Sequence, residues 1–111
     1  MPDHDSVLSR LMQVIEDRQA KLPEGSYTTT LFRGGVDKIG GKVLEEAREV
    51  VEAAAESGDE GWRHLVAEAA DVLYHLLVLL AHRGAGLSDV EAELARRFGI
   101  SGLEEKASRT S

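Results

Sequence analysis

The chain has 111 residues, 42% hydrophobic and 30% charged, with a formal net charge of −7 and no cysteine. That length fits one domain with a modest core. The acidic balance argues against nucleic-acid binding, which draws its affinity from clustered Lys and Arg, and the missing thiols exclude disulfides, thiolate metal sites and cysteine catalysis. The longest unbroken apolar run, Leu76 to Ala81, is far short of the ~20 residues of a membrane helix. The acidic start "MPDHDSV" has no apolar core of a secretory signal, so no membrane partner and a cytoplasmic location are expected.

From Ser6 to about Lys21, Leu8, Leu11, Met12 and Ile15 recur at three- and four-residue steps, which predicts an amphipathic first helix. Pro23, Glu24 and Gly25 break it. The next stretch, "GSYTTTLFRGG", is hydroxyl-rich and closed by Gly34-Gly35, so an ordered loop with at most one helical turn is expected. A second helix is predicted from about Asp37 to Glu56, with Gly58 as its stop. A third runs from about Glu60 to His82 and ends at Gly84. A fourth opens at Ser88, which has the S-x-x-E spacing of a capping box with Glu91, and continues to about Phe98. Beyond Gly99 the periodicity is lost, which gives a domain over 1–99 and a polar tail over 100–111. The fold class is all-α, a bundle of four main helices.

The second helix concentrates negative charge. Glu45, Glu46, Glu49, Glu52 and Glu56 crowd its length, and like charges one turn apart each cost about 0.2–0.5 kcal/mol. Either this face is merely solvated or a cation belongs there. On the third helix, at about 100° per residue, His64, Glu68, Asp71, His75 and His82 share one stripe, while the rest is apolar nearly all round and therefore expected to be buried on most sides. Carboxylates on a buried element need partners. The connection around Ser57 to Gly61 is short, so the two helices should pack antiparallel. Glu46-x-x-Glu49 would then face Glu68-x-x-Asp71. Four carboxylates around one cavity raise each other's pKa and call for a cation, and an all-oxygen set selects Mg²⁺ or Mn²⁺. E-x-x-E alone is also common on solvated helices. His75 is placed either to orient water at that cation or to sit as a satisfied core histidine, and His64 and His82 read as boundary residues.

Three blocks carry a wider likeness: "PEGSYT" at Pro23 to Thr28, "KVLEEAREV" at Lys42 to Val50 and "EAADVLYHLLVLL" at Glu68 to Leu80. With "EDR" upstream, they closely resemble the phosphoribosyl-ATP pyrophosphohydrolases, within the all-α (MazG-like) nucleotide pyrophosphatase superfamily. The resemblance covers roughly Leu8 to Arg97. It implies magnesium-dependent hydrolysis of phosphoribosyl-ATP to phosphoribosyl-AMP and pyrophosphate, the second step of histidine biosynthesis. It further implies that Glu46, Glu49, Glu68 and Asp71 hold the metal, with Glu45 an additional ligand or base. Lys38 and Lys42 would neutralise phosphate charge. Gly25, Ser26, Tyr27 and Thr28 would hold the substrate through backbone N–H groups and hydroxyls, with Arg18 and Lys21 assisting. The superfamily's helices assemble as intertwined dimers, so a homodimer is implied, its second subunit covering the third helix. Some relatives are fused to a cysteine-dependent zinc cyclohydrolase; this chain has no cysteine, so that enzyme is expected to be separate. The family's usual glycine before the paired glutamates is Leu44 here, for which a packing adjustment is expected. Two other readings are a house-cleaning pyrophosphatase for non-standard or deoxynucleotides and a non-catalytic helical dimerisation module.

Overall fold

The computed structural model describes residues 6–99. Its helices are α1 (Val7–Lys21), α2 (Tyr27–Ala54), α3 (Gly58–His82) and α4 (Leu87–Phe98), and the described residues contain no strand. This is the all-α, four-helix class read from the periodicity. The polar tail over 100–111 lies outside the described residues.

α1 starts where expected. The Ser6 hydroxyl accepts the Ser9 backbone N–H at 3.1 Å, satisfying one of the free donors of the first turn. Met12 and Ile15 are buried from its apolar stripe. At the far end the Gln19 amide donates to the Ala81 carbonyl at 3.0 Å, tying α1 to the end of α3.

The stretch expected to be a loop is helical instead. α2 opens at Tyr27, with the Ser26 hydroxyl accepting from the Thr29 N–H at 3.4 Å. Threonine is a mediocre helix former, but only by a few tenths of a kcal/mol each. Burial decides the matter, since Thr28, Thr29, Leu31 and Phe32 are all inside. The Thr29 hydroxyl also donates to the Pro23 carbonyl at 2.8 Å. After about two turns this segment ends at Gly35, whose φ of 72° and ψ of −164° belong to a region open essentially to glycine alone.

Contacts between α2 and α3 give the sense of that bend. Tyr27 meets His75, and Phe32 stacks on His82 with ring centroids 6.5 Å apart. This segment therefore runs parallel to α3. Beyond Gly35 the order reverses, because Glu46 meets His75 and Glu56 meets His64. The later part of α2 is thus antiparallel to α3, as the short Ser57 turn predicts. Gly35 folds α2 back so that both of its halves reach α3.

The core joins Met12 and Ile15 of α1 to Leu31, Phe32 and Ile39 of α2 and Leu77, Val78 and Ala81 of α3. The expectation that α3 is buried nearly all round does not hold within one chain. His75, Leu77, Val78 and Ala81 are inside, but Trp62, Val66, Leu73 and Leu76 remain exposed. By length and composition alone α3 could cross a bilayer, yet it carries Glu68 and Asp71 at mid-length and packs along α2. The start of α4 also differs from the capping box read at Ser88. Gly86 is the cap, and its N–H donates to the Asp89 carboxylate at 2.8 Å.

Two glycines of α2 should respond oppositely to alanine. Gly35→Ala forces a side chain into a glycine-only conformation and should lower the unfolding free energy by about 1–3 kcal/mol. Gly41 is exposed within regular helix, and among the described residues nothing lies within 4 Å of an added methyl. Gly41→Ala should raise stability by about 0.5–1 kcal/mol. Urea denaturation of both variants measures the contrast.

Candidate active site

Of the sequence-predicted carboxylates, Glu46, Glu49 and Glu68 line the seam between the later half of α2 and α3, where three side-chain clusters form. The first centres on His75, which is only 5% exposed. Its Nδ1 lies 2.5 Å from Glu46 Oε1 and 3.0 Å from the Asp71 carbonyl oxygen. Both are acceptors, so Nδ1 carries the proton. In the neutral ring Nε2 is then the acceptor, and the Tyr27 hydroxyl, 2.9 Å away, donates to it. His75 is a satisfied core histidine, and the group it holds is a candidate metal carboxylate.

The second cluster supports the first. The hydroxyls of Thr28 and Tyr74 share a hydrogen bond at 2.5 Å. The Tyr74 ring stacks on Tyr27 at 6.3 Å and sets its edge against His75 at 4.9 Å. Burial pushes the Tyr27 phenol up, while the Lys42 charge pulls it the other way.

The third cluster joins Glu49 to Glu68. A hydrogen bond shared with the Glu68 carboxyl pushes Glu49 above its ordinary 4.5, and repulsion from Glu68, burial and Glu45 add to the rise. Among the described residues, one oxygen of Glu68 is fully buried with no hydrogen-bond partner. A proton on a neighbouring carboxyl or a cation would satisfy it. On its other side, Glu68 lies 3.4 Å from His64 Nε2, while His64 Nδ1 faces Glu56 at 3.1 Å. The hydrogen bond with Glu56 leads in raising His64 above 6.5.

The structure therefore brings Glu46, Glu49 and Glu68 to one seam and leaves Asp71 on its exposed side, with its backbone carbonyl turned to His75. Among the described residues, no three histidine or acidic side chains form a ready-made metal cage. The residues nevertheless fit a hard cation: the donors are all oxygen, one of them is buried without a partner, and Glu49 is pushed toward holding a proton where a cation would remove the need. Glu45 lies outward with Lys42 at 3.8 Å.

The "PEGSYT" side chains differ from the sequence expectation. Ser26 caps α2, Thr28 is buried against Tyr74 and Tyr27 binds His75, so all three hydroxyls have partners inside the protein. Gly25, with φ +82°, forms the turn before them. Lys21 pairs with Asp17 at 3.0 Å, and Lys38 is exposed beyond the bend. Arg18 is half-buried on α1, and its carbonyl accepts the Leu22 N–H at 2.7 Å. Tyr74 was not singled out from sequence, since helical spacing alone does not reveal a partner on the far side of a bend.

The family model described as phosphoribosyl-ATP pyrophosphohydrolase matches residues 8–98. The chain belongs to the phosphoribosyl-ATP pyrophosphohydrolase family. It is 53% identical to the phosphoribosyl-ATP pyrophosphatase of Rhodopirellula baltica, over 98% of this chain and 91% of the relative. The enzyme of that name from Geobacter sulfurreducens is 51% identical over 98% of both chains. That from Methylococcus capsulatus is 50% identical over 93% of this chain and 95% of its own. All three blocks noted in the sequence lie within the span that the pyrophosphohydrolase model matches.

In the metal-free protein, both raised groups favour the folded state most when protonated. The contribution of Glu49 is complete below 4.5 and is lost as pH rises through its higher folded value. That of His64 is complete below 6.5 and is lost above it. Stability without divalent cation should therefore fall in two steps as pH climbs. Thermal melts across pH should show Glu49→Gln removing the lower step and His64→Gln the upper one.

Proposed function

We propose that the α2–α3 seam is the catalytic centre at which this chain hydrolyses phosphoribosyl-ATP, consuming water and releasing phosphoribosyl-AMP and pyrophosphate, the second step of histidine biosynthesis. Membership of the family carries the reaction, and the buried unpartnered oxygen of Glu68 beside Glu49 carries its location. Glu46, Glu49, Glu68 and Asp71 would hold the magnesium ion. When bound, magnesium, or manganese in its place, supplies charge neutralisation at phosphoryl oxygens and acidifies water.

The chain's own residues do the rest. Lys42, on α2 beside Glu45, and Lys38, one turn earlier, offset the negative charge of the substrate's phosphates. Glu45, held outward by Lys42, is available to accept a proton from the attacking water. The Pro23–Ser26 turn and the hydroxyl ladder behind it shape the entrance, with backbone N–H groups rather than the engaged hydroxyls facing the ligand. The phosphoribosyl-AMP released is taken up by the next, cyclohydrolase step, and the reaction runs in the cytoplasm.

A homodimer completes this reading. Leu8, Leu73, Leu76, Leu80, Val90 and Leu94 line an apolar trough of about 430 Å³. Leu44, Val51, Trp62 and Val66 are also exposed on the α2–α3 pair. Fully burying one such side chain is worth about 1.5–3 kcal/mol, so a second copy has ample driving force to cover them. Sedimentation should show a dimer, and Leu76→Glu should shift it toward monomer.

Turnover tests the activity. Purified protein with Mg²⁺ should release pyrophosphate from phosphoribosyl-ATP and leave ordinary and deoxynucleoside triphosphates untouched. Metal ligation supplies several kcal/mol at a phosphoryl centre, so Glu49→Gln/Asp71→Asn should reduce kcat/KM at least about a hundredfold. Preference for a free nucleotide would overturn the substrate, and full activity in the double variant would overturn the site.

A further inference from the structure

We infer that His75 is a positioning residue that locks the Glu46 carboxylate and, through its other ring nitrogen, couples that carboxylate to the Tyr27 hydroxyl at the start of α2. The inference rests on the proposed metal role of Glu46 and adds a component that this role does not itself contain.

The geometry carries it. Glu46 and Tyr27 belong to the two oppositely running halves of α2, separated by the Gly35 bend, and His75 stands on α3 between them. One imidazole bonds both, at 2.5 Å on Nδ1 and 2.9 Å on Nε2. The ring cannot rotate away, because Tyr74 lies edge-on against it at 4.9 Å and Tyr27 at 5.8 Å, and the Asp71 carbonyl holds Nδ1 from the same side. The Asp71 contact also fixes the tautomer, since two acceptors at Nδ1 require a proton there. A carboxylate gripped through one oxygen by a fixed N–H keeps its second oxygen aimed in a constant direction. Partners of this kind, which orient a metal ligand without touching the metal, change metal affinity by about 10–100-fold when removed.

Tyr27 gives the arrangement a second end. Its hydroxyl bonds the ring, yet its residue is 49% exposed. A change in how the start of α2 is held therefore reaches Glu46 through a single side chain. Burial alone would explain an apolar residue at this position. It does not explain a ring whose two nitrogens each bond a different half of the same folded-back helix.

Manganese affinity, read by electron paramagnetic resonance of free Mn²⁺ in the absence of substrate, separates positioning from packing. His75→Phe keeps the ring volume and removes both bonds, and it should weaken Mn²⁺ binding by about tenfold or more. His75→Asn keeps an amide N–H close to the position of Nδ1 and should stay within about threefold of the parent. Tyr27→Phe loses only a hydroxyl that touches no carboxylate directly, yet it should weaken Mn²⁺ binding by about threefold; it carries the test should His75→Phe fail to fold. Equal loss in the Phe and Asn variants, or parental affinity in His75→Phe or in Tyr27→Phe, would overturn the inference while leaving the proposed activity intact. A parent protein that binds no Mn²⁺ at all would instead remove the metal role of Glu46 and this inference with it. Parental Mn²⁺ binding with turnover of a different nucleotide would alter the substrate alone, and the variant series would still decide the role of His75.

Discussion

Two carboxyl groups that repel each other, Glu49 on α2 and Glu68 on α3, are held together across a helix seam. Nothing in their own interaction favours this when both are ionised. The apolar packing of Ile39, Leu77 and Val78 with the α1 residues Met12 and Ile15 supplies the opposing free energy. Among the described residues, one oxygen of Glu68 is buried there without a hydrogen-bond partner. Either a proton or a cation would relieve the repulsion between two ionised carboxylates. This is why the Glu49–Glu68 pair is the place proposed for the metal.

The bend at Gly35 sets what else can reach that centre. A straight α2 would carry Tyr27 far beyond the end of α3, since 28 residues of helix extend about 42 Å at 1.5 Å per residue. Folding back at a glycine-only conformation returns Tyr27 and Thr28 to the level of Tyr74 and His75. Two distant stretches of sequence thus meet at one pair of neighbouring residues on α3. His75 then holds a member of each half, and the hydroxyls of the "PEGSYT" segment are spent on architecture.

The legible parts of the sequence were those governed by local periodicity. α1, the later half of α2, α3 and α4 followed from three- and four-residue apolar spacing, and the short turn at Ser57 was enough to make α2 and α3 antiparallel. Glu46 and Glu49 stood out by the crowding of like charge on α2, and Glu68 and Asp71 because charge on an otherwise apolar helix needs a reason. What was hidden depended on long-range partners. Thr28 and Thr29 read as loop chemistry until burial against α3 outweighed their weak helix propensity. His75 could be either a ligand-side or a core histidine. Only the placement of Glu46 and Tyr27 on opposite sides of its ring shows that it is buried and engaged with the site at once. The cap of α4 moved from Ser88 to Gly86 because the Asp89 carboxylate reaches the Gly86 N–H, a competition between two nearby acidic positions that spacing alone does not rank.

The sign of the site's charge is the remaining constraint. The chain is acidic overall at −7, and the seam concentrates that charge, whereas the substrate of the proposed reaction is itself a polyanion. Unscreened, groove and substrate repel. Lys38 and Lys42 offset only part of the excess, and Lys42 is already drawn toward Glu45. In the proposed reaction positive charge would therefore enter with the ligand, and a carboxylate-lined seam would favour anions that arrive neutralised by a hard cation over bare ones. Holding the carboxylates on helices rather than loops suits this task, because their spacing then depends on the packed core and on the fixed ring of His75, not on the approach of the ligand.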